Sequence, residues 1–161
     1  MSFRIGIGFD LHRLGPNTAL IIGGVLIPHT VGLIGHSDGD VLCHAITDAL
    51  LGAAGIGNIG EQFPDTDPAL KGKSSLYFLE RSVLLVRSKG FEIGNIDSNI
   101  FAERPKLLPF FPAMASKMAE ALGISSDKIQ VKAKTMEGLG IVGTEQAIAA
   151  EAVALLIGGH L

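Results

Sequence analysis

Residues 3 to 12 alternate without interruption: Phe3, Ile5, Ile7, Phe9 and Leu11 stand between Arg4, Gly6, Gly8, Asp10 and His12. A period of two over this length admits a strand with one apolar face and little else. The apolar face is expected to be the core face. The opposite face ends in Asp10 and His12, which point the same way and can offer an oxygen and a nitrogen to one metal. A short D-x-H pair recurs by chance, so it needs a third ligand to carry meaning.

That ligand is offered by Gly35–Asp48, which packs two of the chain's five histidines and three aspartates into one stretch. Its second half reads as a helix. Asp40, His44, Thr47 and Asp48 fall on one face, with Val41, Leu42, Ala45, Ile46, Ala49 and Leu50 around the rest. Two readings stand side by side: a divalent-metal site of the zinc type built with His44, or a capped helix with a partly buried histidine. Asp38 and Asp40 are natural N-caps. Ser37 and the helix start also suit an anion such as phosphate. Cys43 neighbours His44 in sequence but points about 100° away around the helix, as a buried thiol would. His29, after Pro28, reads as a loop residue.

Leu20 to Ile27 reads as a hairpin turning at Gly23-Gly24, and Gly32 to Gly39 as a loop. Asp67 before Pro68 reads as a cap with proline at the first helical position. Asp65 has no such duty. Ser75 to Lys89 carries an amphipathic helix with Leu76, Leu79, Val83 and Val86 as its stripe, stopped by Gly90. Phe91 to Glu103 reads as a long strand ended by Pro105. A helix opened by Pro112 follows, with Met114, Met118 and Leu122 in the core and Gly123 at its end. Strands are expected at 129–134 and 147–157, the second with Glu151 inside it. The threonine and glutamate of Thr135-Met136-Glu137 can donate to a phosphate and bind a second metal, or form a plain exposed turn. The order predicts a single domain over 1–161, an α+β fold in which helices pack on one face of a mixed β-sheet. The other face is left for neighbouring subunits.

Composition narrows the class. Charged residues make up only 18% of the chain against 47% hydrophobic, which points to surface buried between subunits. A net charge of −3 without a basic run argues against nucleic acid. Glu151 breaks the longest C-terminal apolar run, so no membrane span is expected. Met1 to Gly6 is no signal peptide, and one cysteine forms no disulfide framework, so the expected setting is a reducing compartment.

Taken in order, Gly8-Phe9-Asp10-Leu11-His12, His36-Ser37-Asp38-Gly39-Asp40, His44 to Gly52 and Phe63-Pro64-Asp65-Thr66-Asp67 make nearly the whole chain resemble one family. It is 2-C-methyl-D-erythritol 2,4-cyclodiphosphate synthase, of the non-mevalonate isoprenoid pathway. The resemblance implies a cytoplasmic homotrimer, or a plastid one had a transit peptide been removed. It implies a phosphorus–oxygen lyase whose small-molecule substrate carries a cytidine diphosphate group. By the same resemblance Asp10, His12 and His44 hold zinc, and Glu137 holds a second cation, magnesium or manganese. His36 and Thr135 stabilise the transition state, and Ser37 holds phosphate. Asn58, Ile59, Gly60, Phe63, Pro64, Asp65, Thr66 and Asp67 cover the methylerythritol end. Ala102, Pro105, Lys106, Leu107, Leu108, Ala133, Lys134 and Thr135 enclose the nucleotide.

Four positions depart from the family pattern, among them Lys134, which stands where some relatives have threonine beside the nucleotide. Asn58 stands where many relatives carry an aspartate. Thr144 and Ile141 replace an arginine and a phenylalanine linked to an isoprenoid diphosphate on the trimer axis, so weak or no binding of such a ligand is expected. Two other functions use the same residues: a zinc-dependent phosphohydrolase, which would release free phosphate, and a non-catalytic trimeric nucleotide-binding protein.

Overall fold

A computed structural model describes residues 1–158. A five-stranded mixed sheet forms its frame, in the order β4-β1-β7-β5-β6. β1 (Ser2–Gly15) and β7 (Ala147–Gly158) pair antiparallel over almost their full length, and β5 (Phe91–Phe101) pairs antiparallel with β7. β6 (Ile129–Lys134) runs parallel to β5 at one edge. β4 (Gly32–Ile34) adds to β1 at the other, within the stretch expected to be loop. β2 (Leu20–Ile22) and β3 (Val25–Ile27) form the expected hairpin, with Gly23 and Gly24 both at positive φ.

Three long helices cover one face: α1 (Val41–Ala54), α3 (Ser75–Ser88) and α4 (Phe111–Leu122). Two single-turn helices, α2 (Ile59–Gln62) and α5 (Gly140–Gly143), interrupt the loops. The core lies between α1, α3, α4 and the sheet, built on residues such as Leu42, Ile46, Leu50, Leu79, Ile96, Ile100, Met114 and Met118. Among the described residues no helix is long and apolar enough to cross a membrane.

β1 corrects the expected facing. Its core side is not Phe3, Ile5, Ile7, Phe9 and Leu11 but Gly6 and Gly8, which are buried beneath α1. A Cβ on Gly8 would stand 1.9 Å from the Ala45 carbonyl oxygen, and one on Gly6 2.0 Å from that of Ala49. Only glycine lets helix backbone and strand backbone meet this closely. The alternating apolar residues therefore face away from the helices. Phe3, Ile5, Ile7 and Phe9 are 62%, 73%, 65% and 58% exposed. Glu151 of β7 lies on this outer face, in register with Phe9 on one side and Asn99 on the other.

Candidate active site

The α1 stripe divides by burial. Asp40 and Thr47 are fully buried, while His44 and Asp48 are half-buried. Asp40 is the N-cap. Its carboxylate accepts from the amides of Leu42 (3.2 Å) and Cys43 (3.1 Å), and from Gly23 (2.9 Å) and Gly24 (2.7 Å) in the hairpin turn. Burial pushes its carboxyl up, and these donors pull the other way. Asp38 caps no part of α1. It reaches across to α3, accepting from the Ser75 amide at 2.9 Å. These two aspartates fix the hairpin, the start of α1 and the start of α3 relative to one another.

Close packing over Gly8 brings His44 beside the end of β1. His44 Nδ1 lies 2.9 Å from Asp10 Oδ2, His12 Nε2 lies 2.9 Å from the same oxygen, and the two nitrogens are 3.3 Å apart. In a tetrahedral zinc site with metal–ligand bonds of about 2.0–2.1 Å, ligand atoms sit about 3.3 Å from one another, close to this tripod. The donor chemistry fits as well. His12 directs Nδ1 at the Ile34 carbonyl oxygen, 2.8 Å away, which leaves Nε2 for the tripod. Asp10 is raised by burial, but hydrogen bonds and charge from His12 and His44 outweigh that and hold its carboxyl well below the usual carboxylate range. The hydrogen bond to Asp10 raises His12 against the effect of burial. One carboxylate and two imidazoles suit a divalent cation and leave one position open. Asp10, His12 and His44 are the one such group among the described residues.

The tripod floors a cavity of about 340 Å³, walled by His36, Ser37, Ile59, Gly60, Phe63, Asp65, Leu70 and Phe78. Pro64, Thr66 and Asp67 stand outside this lining; Asp67 Oδ1 caps the next turn through the Ala69 amide at 2.9 Å. Asn58 also stands outside it. Its side-chain oxygen caps α2 by accepting from the Glu61 amide at 3.0 Å, a duty aspartate and asparagine perform equally. Sequence reasoning left Asp48 unassigned. Its Oδ1 accepts the Ile59 amide at 2.7 Å and so holds the α2 wall. Phe78 was absent from the predicted α3 stripe, yet it is buried and walls the cavity.

The nucleotide group predicted by resemblance gathers elsewhere. Ala102, Pro105, Lys106, Leu107, Leu108, Ala133, Lys134 and Thr135 all line a second cavity, of about 390 Å³. Its walls are stitched together by the Ala102 amide on the Lys134 carbonyl at 3.0 Å and the Met136 amide on Glu103 at 3.1 Å. Thr135 Oγ1 donates to Glu137 Oε1 at 3.3 Å, with Glu137 at positive φ and exposed. Asp10, Ala150, Ile100 and Ala133 occupy one row across four adjacent strands. Three strand spacings set the two cavities of one chain about 14 Å apart. Cys43 is fully buried, outside both cavities, and burial pushes its thiol well up. His29, half-buried, belongs to neither cavity.

Comparison with known proteins finds the same unit. The chain is 55% identical over 154 residues to the 2-C-methyl-D-erythritol 2,4-cyclodiphosphate synthase of Trichlorobacter lovleyi, covering 96% of this chain and 98% of that one. Among solved structures, the bifunctional IspDF of Campylobacter jejuni superposes with a TM-score of 0.94 at 44% identity, covering 98% of this chain and 43% of that longer one. The CDP complex of Plasmodium falciparum IspF superposes at 0.86 with 36% identity, covering 99% and 98%. The YgbB family pattern matches residues 3–157, from the first strand of the sheet to the last, and the chain accordingly belongs to the YgbB family, in company with the 2-C-methyl-D-erythritol 2,4-cyclodiphosphate synthases.

Proposed function

We propose that this chain is a single-domain cyclodiphosphate synthase, a phosphorus–oxygen lyase. Its substrate is 4-diphosphocytidyl-2-C-methyl-D-erythritol 2-phosphate. An oxygen of the 2-phosphate attacks the β-phosphorus, and the bond from that phosphorus to the oxygen bridging it to the α-phosphorus breaks. The products are 2-C-methyl-D-erythritol 2,4-cyclodiphosphate and CMP, which leaves with the bridging oxygen and its electron pair. The observation that carries the proposal is the convergence of Asp10, His12 and His44 within 4.8 Å at the floor of a cavity.

The two phosphates that must join repel each other, and the residues present are matched to that difficulty. Asp10, His12 and His44 would hold zinc, and Glu137 a magnesium or manganese ion; bound cations offset phosphate charge and polarise phosphoryl oxygens. Ser37 and His36 can donate hydrogen bonds to the attacking phosphate, and Thr135 to the diphosphate, where charge develops. Asp65 and Phe63, which line the cavity, would border the methylerythritol. The nucleophile is already an anion, so orientation and charge neutralisation carry the rate and no strong base is needed.

One substrate must reach both the metal tripod and the nucleotide pocket, and by the family resemblance the two come from neighbouring copies. A head-to-tail contact whose rotation closes makes a ring. The exposed face of Phe3, Ile5, Ile7 and Phe9 supplies the apolar surface for it, and the proposed ring is the homotrimer. The proposed location is the cytoplasm, where highly charged phosphate esters are retained.

Phosphorus NMR on the purified protein with substrate and divalent metal tests the reading. A cyclic diphosphate formed in step with CMP is expected. Free phosphate would instead establish a hydrolase, and binding without turnover a nucleotide-binding protein.

A further inference from the structure

Ser75 opens α3, is fully buried, and belongs to none of the groups described above. Its Oγ lies 2.8 Å from His44 Nε2, on the side of the ring opposite the tripod. Its hydroxyl donates to Asp38 Oδ1 in a short bond, and its amide donates to Asp38 Oδ2 at 2.9 Å. A hydroxyl carries one proton and two lone pairs. With that proton committed to Asp38, Ser75 can only accept from His44. Two acceptors thus face the imidazole: Ser75 takes a proton from Nε2, and Asp10 Oδ2, 2.9 Å from Nδ1, takes one from there; a cation on Nδ1 leaves only the bond to Ser75. Ser37 Oγ, 3.0 Å from the same Nε2, has no carboxylate behind it and can donate or accept. It does not fix the tautomer.

We infer that Ser75, held by Asp38, is a positioning residue for the metal centre, favouring the Nε2–H tautomer of His44 that presents Nδ1 to the cation. The inference rests on the metal reading of the tripod. It also assigns the chain a physical link between two segments far apart in sequence. The start of α3 is where residues 63–74 return to the core, and the Gly72 amide donates to the His36 carbonyl at 3.3 Å just before it. The segment that carries Phe63, Asp65 and Leu70 along the cavity is thereby anchored to the same bonds that orient a metal ligand. The Ser37 hydroxyl, 3.3 Å from Ser75 Oγ, lines the cavity and can turn its proton from there to a phosphate.

The test uses the full chain, in wild-type form and as Ser75→Ala and Asp38→Asn. Imidazole nitrogen shifts of the metal-free protein at about pH 9, above the imidazole range, report the tautomers. The wild type is expected to populate both His44 tautomers, Nε2–H on Ser75 and Nδ1–H on Asp10. Ser75→Ala is expected to shift the balance towards Nδ1–H. His12, pinned by the Ile34 carbonyl, serves as the internal reference and stays unchanged in every form. Zinc affinity, measured by competition with a chromophoric chelator, is expected to fall about 10–100-fold in Ser75→Ala and in Asp38→Asn, the range typical of lost outer partners of a metal-binding histidine. A wild-type His44 protonated on Nδ1 alone overturns the inference. So does a folded Ser75→Ala protein with its His44 tautomer unchanged and zinc affinity within about twofold of wild type. If Ser75→Ala does not fold, Asp38→Asn and the wild-type spectrum decide. Failure of the wild type to bind zinc would remove the metal reading, while the tautomer measurement still judges Ser75.

Discussion

Asp48 accepts the Ile59 amide proton at 2.7 Å, one helical turn beyond His44 on α1. A single helix thus carries a ligand of the tripod and the clamp on a wall of the same cavity. α2 has four residues and no buried side chain, so polar bonds hold it: this one, the Asn58 cap and the Gln62 side chain on the Ile56 carbonyl. Asp48→Ala leaves the half-buried Ile59 amide without its partner. A loss of about 1–3 kcal/mol in unfolding free energy is expected, together with a raised KM for the methylerythritol substrate. Urea unfolding and steady-state kinetics measure the two effects. Asp48→Asn keeps an acceptor and should stay near wild type in both. Equal damage from the two variants would mean that the hydrogen bond is not what matters.

The same carboxylate sets a pH dependence. Burial raises Asp48 above the usual 3.8, against the opposing Ile59 amide, with the charge of Asp10 adding to the rise. The native state therefore holds this proton more tightly than the unfolded chain. Asp48's contribution to stability is fully present below 3.8, declines as pH rises through the raised native value, and is constant beyond it. Wild type should accordingly lose stability relative to Asp48→Asn over that interval. Paired urea titrations of the metal-free proteins at a series of pH values show the trend; a wild type that gains stability relative to Asp48→Asn as pH rises would contradict it.

Gly8→Ala tests how the tripod is assembled. The new Cβ would meet the Ala45 carbonyl oxygen at 1.9 Å, backbone against backbone, with no rotamer to relieve it. α1 must lift from β1 or the chain must fail to fold. A destabilisation of roughly 3 kcal/mol or more is expected. Where the variant folds, zinc affinity should fall with it, because His44 moves with the helix while Asp10 and His12 stay on the strand. Unchanged thermal stability would refute the close approach.

Removal of the cation is the direct probe of the centre. Prolonged dialysis against a strong chelator is expected to abolish turnover, and added zinc to restore it. The midpoint of thermal unfolding should fall on removal, because a ligand bound only by the native state at about 100 times its Kd adds about 2.7 kcal/mol. His44→Ala should abolish both the turnover and the zinc-dependent shift. A His44→Ala protein with full activity would refute the assignment of the tripod.

How much of this was legible in the sequence depends on the range of the interaction involved. The Gly23-Gly24 turn could be read because its chemistry is local, two adjacent residues that adopt positive φ at no cost. The α3 and α4 stripes could be read because helical periodicity reports one apolar face. The facing of β1 could not. Alternation says which side of a strand is apolar, not what covers it, and the glycines on the other side are the signal that a helix backbone approaches there. The partner of Asp38 was equally hidden: thirty-seven residues separate it from Ser75, and local spacing makes any aspartate before a helix look like its cap. The two cavities likewise emerge only from strand order, since the chain returns β7 between β1 and β5.

The outer face of β1 gives the last prediction. Ile7 is 65% exposed and pairs in register with Val153, itself 41% exposed, on a side of the sheet that no long helix covers. Covering such a side chain is worth about 1.5–3 kcal/mol, and a ring of copies gains it at every contact. The wild type is expected to sediment at three times the 16.8 kDa chain mass. Ile7→Asp places a carboxylate in each contact and should yield single chains. The tripod lies across the sheet beneath α1, so these single chains should keep their zinc affinity. They should lose turnover, because the metal cavity of one copy no longer meets the nucleotide cavity of the next. Sedimentation, zinc titration and product formation on one preparation separate assembly from metal binding. A single-chain Ile7→Asp protein with full turnover would show that one copy suffices, and the shared site would have to be abandoned.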